Sequence, residues 1–411
     1  MSLNRLGADF ADHKGGRAPT GDGQARVAAM DFDWTRDDEA YRAELRGFLH
    51  DALGRDWRGY VGLSTAEYKA ASIAFCRKMA DRGYLTQSWP REYGGQEASA
   101  WRAAILSEEV GSPYGEPRGS QYMNVNWIGP AIMRFGSADQ KAYFLPKISA
   151  GDITWAQGFS EPDAGSDLAS LRTRAVRDGD DYVVNGEKIW TSHTAIAEWL
   201  FLLVRTDPTE KRSKGISVLL VPMDTPGLQI NKVLGFVGES AFSNPVFTDM
   251  RVPAANRLGP ENGGWSVVRY ALAFERIGVA HYRHAENQLN ALAREANARG
   301  LMDDPIVLTK LAEAWEAVEA ARLLYFRVVD LRDHDSPPTA DSNVARVAGT
   351  RAYQVVAEAA DLILAEQSLG GVGRSRFNLT AGITSGATEI QLDQVATRFL
   401  NLPRPAVGAR E

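Results

Sequence analysis

One stretch of the chain combines small residues, hydroxyl groups and a turn in a way that suits a ligand held against the backbone. It reads Trp155-Ala-Gln-Gly-Phe-Ser-Glu-Pro-Asp-Ala-Gly-Ser-Asp167 and lies between two strand-like runs. Ala164, Gly165 and Ser166 put little bulk between main chain and ligand, so a phosphate or a heterocycle edge can approach closely. The alternative is an ordinary turn between strands, and composition favours the ligand site.

A second candidate is a carboxylate on an apolar helix face. Glu275 shares one stripe, at spacings of three and four, with Trp265, Val268, Leu272, Val279 and Tyr282. Burial on such a stripe raises the pKa of a carboxyl group, which prepares it to accept a proton from carbon. The residues alone leave a second interpretation open, namely a structural ion pair with an arginine of another helix.

Two other patterns lack the context that their chemistry requires. His281 and His284 are spaced for a metal site, but no third ligand accompanies them, so we expect a solvated helix face and no metal. Gly370-Gly-Val-Gly373 follows a helix rather than a strand, so it fails the test for a dinucleotide-binding fingerprint.

These residues sit in three successive blocks of secondary-structure signal. Apolar residues recur at helical spacing up to about residue 150 and again after residue 264, and the stretch between them is strand-like. Asp178-Gly179 marks the turn of a hairpin over 175–184. The order predicts an α+β chain with an amino-terminal helical domain, a middle β-barrel-like domain and a carboxy-terminal helical bundle, rather than alternating βαβ units.

The same patterns give approximate element and domain boundaries. Helices are predicted over 37–49, 99–110, 139–148, 264–299, 305–332, 342–368 and 388–400. Further strands are predicted over 200–205, 215–221 and 246–252. The expected divisions are a flexible arm at 1–33, the amino-terminal helical domain at 34–150, the middle β domain at 151–260, the carboxy-terminal bundle at 261–403 and a tail at 404–411.

Composition excludes several classes of function. A length of 411 residues with 44% hydrophobic composition allows two or three domains with sizeable cores. The net charge of −6 comes without a basic tract, so no nucleic-acid partner is expected. Cys76, the only cysteine, excludes an internal disulfide. No apolar run approaches the roughly 18 residues of a membrane span, and the first thirty residues lack an apolar signal core, so a cytoplasmic location is expected.

The ligand-binding stretch also resembles the flavin-binding signature of the acyl-CoA dehydrogenase family. Other motifs agree with that family in order, over residues from about 35 to 403: Trp89-Pro-Arg-Glu-Tyr-Gly-Gly95, Phe135-Gly-Ser-Ala-Asp-Gln140, Trp190-Thr191-Ser192, Gln367-Ser-Leu-Gly-Gly-Val-Gly373 and Gly386-Ala-Thr-Glu-Ile-Gln391. The resemblance implies an FAD-dependent oxidoreductase that desaturates an acyl-CoA thioester between its α and β carbons, as in fatty acid or lipid catabolism.

The resemblance also implies which residues hold the flavin. Phe159 (through its backbone), Ser160, Gly165 and Ser166 would line the flavin ring and pyrophosphate. Trp190 would cover one flavin face with Ser192 near N5. The remaining implied cofactor contacts are Thr191, Gln367, Gly370, Gly371 and Glu389.

The position of the base is where this chain departs from most of the family. Most members carry a glutamate directly before the glycine of the carboxy-terminal motif, and here that position is Ser385. A smaller group carries the base on the long helix, followed by arginine, which Glu275-Arg276 resembles. The resemblance therefore implies Glu275 as base, Arg276 as the residue that orients it, and the Ser385 backbone N–H as a donor to the thioester oxygen.

Three further departures from the usual family pattern indicate alternative functions for this chain. The Arg-x-x-Phe-Gly segment usual after the long helix is missing, the stretch between Gly373 and Gly386 is short, and Ala387 stands where a threonine often meets the flavin. These changes resemble bacterial members that form mixed tetramers of two related chains. The alternatives are a non-catalytic partner subunit of such a tetramer and a flavin monooxygenase on the same fold.

The resemblance also implies partners. They are an acyl-CoA substrate, an electron-transfer flavoprotein as oxidant, and further chains in a homo- or hetero-tetramer. The short segment after Gly373 suggests an unusual pocket, for a branched, bulky or ring-bearing acyl group.

Overall fold

A computed structural model describes most of the chain from Trp34 onwards. The described residues are 34–54, 57, 59–60, 62–111, 116–210, 212–234, 242–275, 281–334, 340–364, 380–383 and 386–403, with the side chains of 273–275 and 281 excluded.

The amino-terminal part is helical, and polar caps set where several helices begin. The helices are α1 Arg36–Leu53, α2 Thr65–Asp81, α3 Ala100–Gly111, α4 Gln121–Met123, α5 Gly129–Phe135 and α6 Ala138–Ser149, with a π-helical turn at Asn124–Ile128 between α4 and α5. Thr35, Ser64 and Ser137 each form a capping box at the start of α1, α2 and α6. Each box satisfies backbone N–H groups that a helix start leaves without partners.

The middle of the chain forms one nine-stranded sheet. Its strands are β1 Trp155–Gly158, β2 Arg174–Asp178, β3 Asp181–Glu187, β4 Thr191–Ser192, β5 Trp199–Arg205, β6 Ile216–Pro222, β7 Leu228–Lys232, β8 Phe242–Pro253 and β9 Arg257–Leu258. The strand order is β4-β8-β3-β2-β5-β6-β9, with β1 parallel to β5 and β7 paired with β8. The predicted hairpin is confirmed as β2–β3, and Gly179 in its turn has a φ of +59°, which glycine adopts without steric cost.

The carboxy-terminal part is helical again. Its helices are α7 Gly264–Glu275, α8 His281–Ala298, α9 Pro305–Asp333, α10 Asp341–Leu364 and α11 Thr388–Gln394, the last followed by a π-helical turn at Val395–Phe399. The long helix predicted over 264–299 is described as α7 and α8, and residues 276–280 between them lie outside the described part of the chain. Helix, sheet and helix follow one another as the sequence predicted.

The hydrophobic core explains the apolar composition of β5. Phe201 and Leu203 belong to a core cluster that also contains amino-terminal helix residues and Val268 of α7. Leu200, Leu202 and Val204 belong to a second cluster within the sheet. Because successive side chains of a strand point to opposite faces, a strand buried on both faces reads as a continuous apolar run.

Helix α7 approaches the sheet closely at its first residue. A Cβ added at Gly264 would lie 2.7 Å from the main chain of Ser217 in β6. Val267, Val268 and Ala271 are fully buried beyond this contact. The missing side chain at Gly264 therefore lets the start of α7 rest against β6, which fixes the direction of the helix that ends at Glu275.

Candidate functional site

The loop after β1 presents its main chain to open space. Glu161 and Ala164 exchange two backbone hydrogen bonds of 3.0 Å, which closes a tight turn. Gly165 and Ser166 follow this turn and are exposed. A Cβ added at Gly165 would meet no atom within 4 Å. This geometry suits the predicted ligand site, since no described atom fills the space beside Gly165.

A buried ion pair holds this loop in place. The Glu161 carboxylate accepts hydrogen bonds from Lys188 Nζ at 2.7 Å, from the N–H of Arg172 at 2.6 Å and from the N–H of Thr173 at 2.9 Å. Burial alone would raise the pKa of Glu161, but Lys188 and the N–H donors outweigh it and lower that pKa. Burial lowers the pKa of Lys188 to about 8, against the opposing effect of Glu161.

This ion pair was not recognisable from the sequence. The available signal was a lysine just after a strand, two residues before Trp190, with a glutamate inside the candidate loop. Lysine and glutamate are almost never fully buried unless they are paired, but sequence spacing alone does not show that these two side chains meet.

The second candidate segment, Trp190 to Ser192, lies directly beside this loop. The N–H of Ile189 donates to the carbonyl of Ser160 at 2.8 Å. Trp190 has a φ of +59°, which is unusual for a bulky residue, and 54% of its surface is exposed. Its indole packs edge-on against Phe242. Such backbone strain is found at ligand sites, where the surrounding structure holds it in place.

The residues around Trp190 fit a planar, phosphate-bearing cofactor such as a flavin. The exposed indole offers an aromatic face. Ser192 is half-buried, and Thr191 is fully buried with an Oγ1 that has no hydrogen-bond partner within the described ranges. Exposed backbone and hydroxyl groups at Gly165 and Ser166 can receive a phosphate. The side chain of Phe159 is buried against Phe201, so a contact from this residue would come from its backbone.

The structure brings only part of the candidate set together. Ser160 is joined to the Trp190 segment by the Ile189 hydrogen bond, with Gly165 and Ser166 in the same loop. Glu389 lies in the first turn of α11 and is exposed. The following candidates fall outside the described residues: Arg276, Gln367, Gly370, Gly371 and Ser385.

The stripe that carries Glu275 is buried or partly buried where its side chains are described. Glu275 is the final residue of α7, and its side chain is outside the described part. Val268 is fully buried, Trp265 and Leu272 pack against the core, and Tyr282 in α8 is buried. These four positions therefore face the protein interior, and the stripe between Leu272 and Tyr282 lies outside the described side chains.

A second carboxylate lies near the same stripe but is already bound to protein groups. Glu108 of α3 is buried, accepts a hydrogen bond from the Tyr282 hydroxyl and pairs with Arg42 at 2.8 Å. Burial raises the pKa of Glu108, and Arg42 and Tyr282 oppose this effect. Its oxygens are committed to these partners, which makes Glu108 a structural group rather than a competing base.

His193 is a further residue of this region, and little in the sequence points to it. It directly follows Ser192, has a φ of +63° and places Nδ1 3.4 Å from the hydroxyl of Tyr68 in α2. Burial lowers its pKa to about 4, so its imidazole is neutral at pH 7. Its only sequence signal was its position next to Ser192.

Among the described residues, no helix has the length and apolarity needed to cross a membrane, and no group of three potential ligands could hold a metal ion.

Comparison with protein-family models accounts for most of the chain. The amino-terminal domain of acyl-CoA dehydrogenases matches residues 35–152, the middle domain matches 156–250 and the carboxy-terminal domain matches 262–400. All three matches follow the order of the three structural blocks.

Individual proteins agree over almost their whole length. Acyl-CoA dehydrogenase FadE26 of Mycobacterium tuberculosis is 34% identical over an alignment of 406 residues. The alignment covers 91% of this chain and 99% of that protein. The ChsE4-ChsE5 complex from Mycobacterium tuberculosis includes a chain of 33% identity with a TM-score of 0.78, over 92% of this chain and 100% of that one.

A second solved structure, titled Tcur3481-Tcur3483 steroid ACAD, has 30% identity and a TM-score of 0.80, over 92% of this chain and 100% of that one. Three matched domains in the expected order, together with these full-length relatives, show that the chain belongs to the acyl-CoA dehydrogenase family, a family of FAD-dependent oxidoreductases.

Proposed function

We propose that this acyl-CoA dehydrogenase removes the α-proton of its thioester substrate with Glu275. The observation that supports this most is the burial of Val268 and the partial burial of Leu272 before Glu275, with Tyr282 buried after it. A carboxylate on a helix face that is turned to the protein interior would be poorly solvated, which would raise its basicity towards that needed to take a proton from carbon.

FAD, when bound, supplies the acceptor for the β-hydride. The proposed FAD contacts in the middle domain are Ser160, Gly165, Ser166, Trp190, Thr191 and Ser192, with Phe159 acting through its backbone. Their support is the exposed indole, the open space beside Gly165 and the unpartnered Oγ1 of Thr191 within the described chain.

The carboxy-terminal motifs complete the proposed site. Gln367, Gly370, Gly371 and Glu389 are proposed as further cofactor contacts, on the strength of the family resemblance. The N–H of Ser385 would donate to the thioester oxygen, which stabilises the negative charge that develops there as the α-proton leaves. Arg276 would orient Glu275.

The substrate and assembly are proposed from the relatives. A solved structure at 30% identity is titled a steroid ACAD, and another at 33% is a complex of two named chains. We infer a bulky, ring-bearing acyl-CoA as substrate and a tetramer that contains this chain and a related one. An electron-transfer flavoprotein would reoxidise the flavin.

The decisive experiment compares two variants by anaerobic bleaching of the flavin. Glu275→Gln keeps shape and removes basicity, so it should retain FAD and acyl-CoA binding but reduce the flavin about 10²- to 10⁴-fold more slowly. Ser385→Ala is the matched control, because the backbone N–H survives the change. With a ring-bearing acyl-CoA as substrate, the flavin of this variant should bleach as fast as that of the parent protein.

The outcomes separate the candidate functions. Normal bleaching in Glu275→Gln with none in Ser385→Ala would reverse the two assignments. Normal bleaching in both would place the base elsewhere. A parent chain that binds FAD only when co-expressed with a homologous chain would favour a partner subunit, which the serine at position 385 makes the second candidate.

A further inference from the structure

The Glu161–Lys188 ion pair ties together three separate parts of the middle domain. Glu161 closes the turn with Ala164 through its backbone and receives the N–H groups of Arg172 and Thr173 through its carboxylate. Lys188 reaches the same carboxylate from the end of β3. A single side chain therefore fixes the loop after β1, the approach to β2 and the exit from β3.

Lys188 is itself held rigidly. Its N–H donates to the carbonyl of Pro245 at 2.8 Å, and its carbonyl accepts from Asn244 Nδ2 at 2.6 Å, both in β8. Its side chain is fully buried, and its stem passes beside Gly158 of β1, where an added Cβ would lie 3.5 Å from Lys188 Cγ and 3.1 Å from a Leu202 methyl. The backbone of Lys188, which is fixed by its bonds to β8, therefore places the ammonium group against Glu161 in apolar surroundings.

Both members of the pair adjoin the segments proposed to contact FAD. Glu161 directly follows Ser160 and precedes Gly165 and Ser166, whereas Lys188 stands two residues before Trp190. Between them, the N–H of Ile189 donates to the carbonyl of Ser160. The position of the indole relative to the exposed loop therefore depends on groups that the ion pair anchors.

Stability alone does not account for a buried pair of this kind. Removing two charges from water costs several kcal/mol per ion in proteins, and well-packed apolar residues often replace such pairs with no loss of stability. An apolar pair would lack the directed bonds that join the carboxylate to the ammonium group and to two N–H groups. A site for a rigid ligand requires directional bonds of this kind, because they hold the contact residues in a defined geometry.

We propose that Glu161 and Lys188 are positioning residues for FAD, which hold the Glu161–Ser166 turn and the backbone of Trp190 in the arrangement that receives the cofactor. This inference rests on the proposed placement of FAD in the middle domain. The carboxylate is engaged by Lys188 and by two backbone N–H groups, so we expect the pair to act on cofactor affinity rather than on the chemical step.

The test measures FAD affinity and stability separately on the full chain stripped of flavin. Glu161→Gln keeps one acceptor oxygen in place of the two that bind Arg172 and Thr173, and it leaves the buried Lys188 ammonium group without its counter-charge, so the apoprotein should melt at a lower temperature than the parent. Its dissociation constant for FAD, from quenching of flavin fluorescence, should rise about 10- to 100-fold, by analogy with the loss of an outer group that orients metal ligands. The double variant Glu161→Gln/Lys188→Met removes both charges and keeps an acceptor oxygen for the N–H groups, so it should recover stability relative to Glu161→Gln but not FAD affinity.

Arg251→Gln serves as control, since it breaks an exposed ion pair with Asp178 on the same sheet, and it should change neither measurement. Parent-like FAD affinity in both Glu161→Gln and the double variant would overturn the proposal, as would a parent chain that binds no FAD. The proposed base is tested independently, because loss of Glu275 basicity leaves the FAD dissociation constant unchanged.

Discussion

Trp190 shows at the scale of one residue how a site differs from a core. A bulky residue at positive φ costs of order 1–3 kcal/mol, and its exposed indole recovers little of that by burial. Its neighbour Thr191, in contrast, is fully buried. The fold therefore gains little stability from the indole, which is consistent with a role in ligand binding.

Replacing Trp190 by alanine should therefore separate cofactor retention from stability. Alanine keeps the strained backbone and removes the aromatic face, so FAD should dissociate more readily while the free energy of unfolding of the apoprotein changes by less than about 1 kcal/mol. Fluorescence titration and chemical denaturation of the apoprotein provide the two measurements. A loss of several kcal/mol in the apoprotein would show that the indole is a core group and would contradict the placement.

Sequence reasoning reached some residues of this region and missed others for physical reasons. Gly165 and Trp190 were recognisable because residue type and motif order are local properties of the chain. The pairing of Lys188 with Glu161 was not recognisable, because it depends on how β1 and β3 are placed in the sheet. His193 was missed for the same reason, since its partner Tyr68 belongs to a distant helix.

Among the secondary-structure elements, helix α7 is the one that carries and positions Glu275. The helix starts at Gly264 against the main chain of β6, and its buried face is described as far as Leu272. Any displacement at the start of a rigid helix is transmitted along it. The contact at Gly264 is therefore expected to matter for catalysis as well as for stability.

Gly264→Ala should destabilise the protein even though alanine favours helices. The added Cβ would lie 2.7 Å from backbone atoms of Ser217, so the helix or the strand has to move, which typically costs about 1–3 kcal/mol. Flavin reduction should also slow as Glu275 shifts. Gly47→Ala in α1 is the matched control, because nothing lies within 4 Å of its Cβ position, and it should stabilise by about 0.5–1 kcal/mol. Equal thermal shifts in the two variants would refute the close contact.

Regular elements were more predictable than irregular ones. The hairpin β2–β3 and the helices α9 and α10 follow from periodicity and from a glycine turn. The π-helical turn at Asn124–Ile128 and the two-residue strand β4 have no periodic signal. Both are set by what they pack against, and β4 carries part of the candidate site through its pairing with β8.

Across the described part of the chain, the segment 383–402 carries six large exposed apolar side chains. Large exposed side chains in the segment 383–402 are Ile383, Ile390, Leu392, Phe399, Leu400 and Leu402. Scattered exposed apolar residues are normal, whereas a concentration of them marks an interaction surface. The proposed tetramer offers a specific occupant for it, namely a second copy or a related chain.

The double variant Leu400→Arg/Leu402→Arg should therefore weaken the assembly without unfolding the subunit. Both side chains are more than half exposed, so arginine is accommodated in the isolated chain, but it places two charges in any contact that covers them, where an unpaired charge is costly. Light scattering after size-exclusion chromatography should give a smaller mass than for the parent, both for the chain alone and after co-expression with a homologous partner.

Leu63→Arg, an exposed leucine before α2, is the control and should leave the mass unchanged. A parent-sized particle from the double variant would exclude this segment from the interface, and a monomeric parent in both preparations would refute the proposed tetramer.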